Sequence, residues 1–393
     1  MRVLLLHNRY RAQGGEERVV AMQAELLARH GHAVEVLERD SSTARAARAA
    51  AGMLGGGLAP AQVAGAVRRF RADVVHAHNV HPLFGWRALA AARDAGATTL
   101  LQLHNFRLFC AIGIAYRDSR PCHECRGLNT LGGLIHRCRG STPEAAVYAA
   151  GLAAQQRRLL GGADRLIALS QGHLALLRGH GLAADGVSVV PNFIADGGWA
   201  QSSAAGAGTY ALVAGRLVEE KGFDTAVVAA AAAAVPLVVA GAGPDEPRLR
   251  ALAASTGAEV RFTGWLEPGA LAETVRGAGV ALIPSRCEEA FGYGALDAFA
   301  AGVPVIAAPG GGLAELVSTG AGTLVNSDDA TGWADALAAL WSDPARRQAD
   351  GERALAAVRG PYGEAAALTA LLGAYRTATA TRTGGLRKPG RDS

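Results

Sequence analysis

Short apolar runs recur along the chain, each followed by a loop and then by an amphipathic or small-residue stretch. The first, residues 3–6, leads through a polar loop into a segment where Val19, Val20, Met22, Leu26 and Leu27 share one helical face until Gly31. This spacing predicts a strand followed by a helix, since apolar positions three or four apart lie on one side of a helical turn. Further strands are predicted at 33–37, 73–79, 98–103, 165–169 and 187–190. Ser141-Thr142-Pro143-Glu144 has the composition of a helix start, with proline in the first turn and glutamate three residues after serine. The pattern then restarts, with strands at 210–214, 237–240, 260–263, 280–283, 303–307 and 322–325 and a helical segment between each pair. Strand and helix in alternation imply parallel sheets. The predicted class is α/β: two Rossmann-like domains facing one another across a central cleft.

Residues 1–192 are the first predicted domain, with a cysteine-bearing insertion at about 105–140. Gly, Ala and Ser from 193 to 208 mark a linker, and 209–360 make the second domain. Residues 361–376 read as a last helix, with a return to the first domain as one option. The tail 377–393, rich in Thr, Arg and Gly and without periodicity, is expected to be disordered. The low-complexity stretch 42–66 is expected to be helical in part.

At 393 residues the chain exceeds one ordinary core, and with 50% hydrophobic and 19% charged residues it belongs among globular proteins. The longest apolar stretch, near 226–240, is mostly alanine and interrupted by Pro236, too short and weakly apolar for a membrane span. No signal peptide is read at the N-terminus, so a cytoplasmic location is expected. The net charge of +5 is carried almost wholly by arginine, only Lys221 and Lys388 being lysine. No basic arm is interleaved with aromatics, which argues against nucleic acid as a partner. Arg68-Arg69-Phe70-Arg71 is a solvated helix face or a peripheral contact with the inner face of a membrane.

The loop from Pro284 to Asp297 follows a strand and holds Glu288, Glu289, a Gly-rich turn at Phe291-Gly292 and the acid Asp297. Open α/β sheets bind ligands at such strand ends, although a solvated acidic loop before a helix has the same composition. Gly14 and Gly15 lie between the first strand and its helix, where amides meet an anion or merely make a tight turn. In the second domain Arg216 and Lys221 occupy the equivalent loop, fit to close on a diphosphate or to pair with Glu219 and Glu220. Gly241 and Gly243 form another turn, for a nucleotide or for packing. His104 ends a strand and so faces the cleft. His76, His78 and His81 are discounted as a metal set, since alternation along a strand accounts for the first two. Four of the five cysteines, Cys110, Cys122, Cys125 and Cys138, fall close together, and the two-residue spacer allows two thiolates to reach one ion. They are a closed structural zinc site or a set of reduced thiols.

Together these segments resemble the retaining glycosyltransferases of the glycosyl transferases group 1 family, the fourth carbohydrate-active family, whose fold is GT-B. The likeness rests on Gly14-Gly15-Glu16, Asp73 through His78, Leu103-His104-Asn105, Ala214 through Leu217 with Glu220-Lys221-Gly222, Gly241-Ala242-Gly243, Pro284 through Val305, Gly310-Gly311-Gly312 and Glu315. The segment from His104 to Cys110 is similar to a subgroup whose members share such cysteines. The resemblance implies transfer of a hexosyl group from a nucleotide-diphosphate sugar to a hydroxyl acceptor, without a catalytic metal. It implies that Gly15 gives an amide to the diphosphate, Arg216 and Lys221 neutralise it, and Glu289, Phe291 and Gly292 contact the sugar. His104 would lie by the donor sugar and the acceptor. Asp297 would hold the ribose, yet the family usually has Glu there, one methylene longer. A sugar-nucleotide 2-epimerase of the same fold and a non-catalytic nucleotide-sugar-binding partner are the alternatives.

Overall fold

The computed structural model describes residues 1–9 and 14–385, so Gln13 and the tail beyond 385 lie outside the described residues. The first half contains β1 (Arg2–Arg9), β2 (Ala33–Asp40), β3 (Val74–Ala77), β4 (Thr98–Gln102), a small hairpin of β5 (Tyr116–Arg117) and β6 (Arg120–Pro121), then β7 (Arg165–Ala168) and β8 (Val187–Val189). Apart from the hairpin these make one parallel sheet in the order β2-β1-β3-β4-β7-β8. The second half contains β9 (Ala211–Ala214), β10 (Leu237–Ala240), β11 (Val260–Gly264), β12 (Val280–Ile283), β13 (Val305–Ala307) and β14 (Gly322–Leu324). They form a second parallel sheet, ordered β11-β10-β9-β12-β13-β14.

Continuous apolar runs become central strands because helices cover both faces of such sheets. Val3 to Leu6 and Ala211 to Val213 are accordingly buried throughout. In the first sheet the chain adds β2 on one side of β1 and β3 on the other; in the second it adds β10 on one side of β9 and β12 on the other. Each reversal opens a crevice at the carboxyl ends of the two inner strands, where doubly wound folds hold ligands. The loops after β1, β3, β9 and β12 are therefore the ones placed for function.

The stretch 42–66 resolves into the helix Ala46–Gly55 and the start of Pro60–Phe70. Gly57 joins them at φ 106°, and a Cβ there would sit 1.7 Å from the Phe84 carbonyl oxygen. The last helix spans Glu364–Gly385, not ending near 376. Disorder from 377 is thus corrected for residues 377–385. Ala378 is fully buried, and Thr377, Thr379 and Thr381 return their hydroxyls to the carbonyl four residues earlier at 2.9–3.0 Å. Such back-bonding satisfies the hydroxyls within the helix, while its apolar face supplies the packing. Leu371, Ala374, Tyr375 and Ala378 share one buried cluster with Val3, Leu5, Val74 and Leu100, so this helix covers a face of the first sheet. The Ile194 amide donates to the Tyr362 carbonyl at 2.9 Å, which sets the two crossings between domains side by side.

Among the described residues no single helix is long and apolar enough to cross a membrane; one helix pair, Ala46–Gly55 with Pro60–Phe70, passes on composition but is bent by 76°.

Candidate functional site

At the second sheet's switch point the loops after β9 and β12 touch. Gly222 sits at φ 67°, and a Cβ on it would come within 2.1 Å of the Pro284 carbonyl oxygen. The amide of Arg286 donates to the Glu220 carbonyl at 2.9 Å. This fit brings the Lys221 ammonium onto Glu289 Oε1, which also accepts from Ser285 Oγ at 2.7 Å. Burial works against charge on both partners. For Lys221 the neighbouring carboxylate outweighs burial and raises the ammonium above its usual range. For Glu289 the Lys221 charge and the hydrogen bonds from Lys221 and Ser285 outweigh burial and lower the carboxyl. The pair is ionised at neutral pH. Arg216 is more open, its side chain 59% exposed and 4.0 Å from Glu220.

Phe291 is buried, and Gly292 caps the helix Tyr293–Ala300 in a left-handed conformation, φ 103°. The first amides of a helix have no intrahelical partner, and they carry its positive end. Gly241 and Gly243 are required for packing: a Cβ on Gly241 would lie 1.8 Å from the Gly215 oxygen and one on Gly243 2.2 Å from the Leu217 oxygen. They let the loop after β10 lie against the loop that carries Arg216.

At the first sheet's switch point four histidines meet. His7 belongs to β1, His76 to β3, His78 follows β3 and His104 follows β4. His104 Nε2 lies 2.9 Å from His78 Nδ1, so one ring donates to the other, and the two rings stack with centroids 5.2 Å apart. His78 stacks in turn on His76 at 4.4 Å, and His76 Nδ1 lies 3.0 Å from the Tyr375 hydroxyl. Burial first, then the neighbouring histidines, pushes His78 and His104 well below the usual imidazole range; burial lowers His76 to about 3. His104 therefore stands neutral in the cleft, beside a pocket open to solvent that His78, His81, Asn105 and Arg107 also line.

Across the cleft, Arg18 Nη1 contacts both oxygens of Asp297 at 2.8 and 2.9 Å, and its guanidinium lies over the Tyr293 ring. Burial raises the Asp297 carboxyl, against the pull of Arg18. Gly15 faces the same Tyr293, where an added Cβ would be 3.1 Å from Cδ2. The Gly14 amide is taken by Glu17 Oε2 at 2.9 Å. Ser170 Oγ donates to the Ala290 carbonyl at 2.9 Å, and the Gly172 amide to Glu315 Oε1 at 2.5 Å. These bonds seat the loop after β7 on the second domain.

Reading the residues in order missed Arg18, Ser285 and the role of His78. Arg18 sits one turn into a predicted helix with no local signal, and its partner is 279 residues away. His78 does carry a signal, its place at a strand end, for which alternation along the strand accounts equally well.

The four clustered cysteines form no disulfide and line one pocket with Tyr116, Arg117, His136 and His180. Burial, then the other thiols, raises Cys125 to about 11 and Cys138 in the same direction. Gln156 ties this insertion to the domain by donating to the Leu108 and Gly127 carbonyls at 3.1 and 2.8 Å.

Residues 200–356 match the family described as glycosyl transferases group 1, and residues 14–192 the glycosyl transferase 4-like domain. The chain is similar to D-inositol 3-phosphate glycosyltransferase 1 of Catenulispora acidiphila, 30% identical over 333 residues covering 78% of this chain and 72% of that protein. Two further curated relatives, 41% and 35% identical, match over shorter stretches, so the chain spans only 34% and 39% of their lengths. Among solved structures, sucrose-phosphate synthase from Thermosynechococcus elongatus superposes with a TM-score of 0.70 at 20% identity, over 96% of this chain and 99% of the other. HepE of Anabaena, in complex with UDP, does so with a TM-score of 0.65 at 18% identity, over 96% and 100%. At these identities the likeness is one of fold, and that fold is GT-B.

Proposed function

Because the chain belongs to the glycosyl transferases group 1 family and is a glycosyltransferase of GT-B type, we propose that it moves a hexosyl group from a nucleotide-diphosphate sugar to a hydroxyl acceptor with retention. The observation that carries this reading is the Lys221–Glu289–Ser285 contact at one switch point, with neutral His104 at the other. A relative of this fold in complex with UDP adds support for a nucleotide donor.

In this reading Arg216 and Lys221 meet the charge that grows on the diphosphate as the bond from the anomeric carbon to phosphate oxygen breaks. Preorganised cations facing developing charge are worth more in a water-poor cleft than in bulk water, so no catalytic metal is needed. Glu289, fixed by Lys221 and Ser285, accepts from sugar hydroxyls. The amides at Gly15, Phe291 and Gly292 face the donor, and Asp297 holds the ribose. The acceptor oxygen bonds to the anomeric carbon on the face the phosphate leaves, and its proton passes to that phosphate. Neutral His104, oriented by His78, hydrogen-bonds at the transferred sugar and the acceptor.

The four thiols fit a structural zinc by donor chemistry, soft sulfur ligands around one cavity. Bound through Cys110, Cys122, Cys125 and Cys138 it would stiffen the insertion and take no part in transfer. Metal analysis of protein purified without added zinc tests this; freely titrating thiols without metal would rule it out. Exposed Leu128, Leu131 and Ile135 on the same insertion support peripheral membrane contact, which co-sedimentation with anionic vesicles would detect.

The donor reading is tested with UDP-, GDP- and ADP-sugars by thermal shift, followed by product analysis with and without acceptor. At least one donor should stabilise the protein. If none does, the proposal fails; an epimerised sugar formed without acceptor would favour the epimerase instead.

A further inference from the structure

Glu288, the neighbour of Glu289, faces away from the sugar site described above and toward the cysteine-bearing insertion of the other domain. His123 Nε2 lies 3.5 Å from Glu288 Oε1. The His123 ring stacks on His180 with centroids 4.8 Å apart. One ligand atom from each of His123, His180 and Glu288 falls within 4.8 Å of the other two. A tetrahedral zinc with bonds near 2.1 Å holds its ligand atoms about 3.4 Å apart, so a small inward movement of the exposed His123 closes the set.

The support around His180 has the form that metal-ligating histidines require. Its Nδ1 donates to the Cys125 carbonyl at 3.1 Å, which fixes the tautomer and leaves the lone pair on Nε2. His180 is 1% exposed, and its Nε2 is buried with no hydrogen-bond partner among the described residues. The same holds for Glu288 Oε2. Two buried acceptors without a donor are costly unless an ion or an ordered water meets them, and the convergence of three ligand atoms favours the ion. His123 and His180 come from the first domain and Glu288 from the second.

We propose that His123, His180 and Glu288 form a zinc site that clasps the insertion of the first domain to the acidic loop of the second. Two imidazoles and a carboxylate suit zinc over the hard cations, which prefer all-oxygen shells. Three protein ligands leave a fourth position to water. The site shares no ligand with the four thiols, although His180 also lines their cavity, and it stands whether or not the donor reading above is right. Because its ligands span both domains, the metal ties them to one another at this edge of the cleft.

The test uses the full-length chain, stripped with chelator and titrated with zinc alone by calorimetry. Parallel titrations use His123→Ala, chosen because its side chain is 49% exposed and its loss spares the fold, and Glu288→Gln. Each variant should bind one equivalent less than the parent. Zinc at saturation should raise the parent's melting temperature more than either variant's, even if the thiols also bind. With cobalt, the equivalent lost in the variants should be the one lacking thiolate charge-transfer absorption. Unchanged stoichiometry in both variants, or loss of only the thiolate-bound equivalent, overturns the proposal.

Discussion

Replacing Lys221 by alanine tests the charge balance at the second switch point. The variant leaves the Glu289 carboxylate, 17% exposed, with Ser285 but without its cation. Removing one partner of a fully buried pair costs about 3–5 kcal/mol; some water reaches this pair, so about 2–3 kcal/mol is expected at pH 7. For a domain of this size each kcal/mol shifts Tm by about 2–4 °C, giving a loss of roughly 4–12 °C. The pH dependence carries more information than the size. In the parent the Glu289 carboxyl is lowered, so its contribution is present above the unfolded value, about 4.3, and is lost as pH falls through the folded value. In the variant burial acts without the opposing cation, the carboxyl rises, and protonation relieves the uncompensated charge. The difference in Tm between parent and variant should therefore be widest near pH 7 and shrink toward pH 4. Thermal melts across that range on Lys221→Ala, on Glu289→Gln and on the double variant that combines them, which closes the cycle, provide the measurement. A difference independent of pH, or a double variant no better than Lys221→Ala, would refute the argument.

Asp297→Glu should keep the Arg18 pairing while reaching further into the cleft, so calorimetry should find nucleotide bound severalfold more tightly; weaker binding would count against a ribose contact. Gly241→Ala places a Cβ against the Gly215 oxygen at φ 141°, and denaturant unfolding should show a loss of about 2–4 kcal/mol. His104→Ala should lower kcat roughly 10²-fold or more, while His78→Ala, which removes only the orienting partner, should cost less and alter the pH profile; equal losses with an unchanged profile would contradict the positioning role.

The two sheets were legible because apolar runs such as Val280 to Ile283 are buried on both faces, leaving a signal that loops cannot mimic. Strand β2 was harder to bound: it runs on to Asp40 through Glu38 and Arg39, since an edge strand tolerates charge and Arg39 is held by the Leu58 and Leu83 carbonyls, both at 2.7 Å. Glu289 and Lys221 were legible as residue types at strand ends, but their direct contact depends on how two loops pack. The glycines at 241 and 243 were equally visible, and only the folded backbone shows that both are required for packing. Arg18 had no sequence signal at all, because a contact across a cleft is made by the docking of domains and leaves no local periodicity.

The return of the final helix to the first sheet has a consequence for synthesis. Topologically the second domain is a guest inserted into the first, one face of whose sheet has only part of its cover, Val20 and Leu27 of the first helix, until residues beyond Glu364 emerge. At about 5–20 residues per second, the first sheet waits on the order of 10–30 s between its last strand and its own cover. During that interval Leu100 lacks the partners Leu371, Ala374 and Tyr375, so the ribosome delivers a half-finished host, and the guest must be made before the host can close.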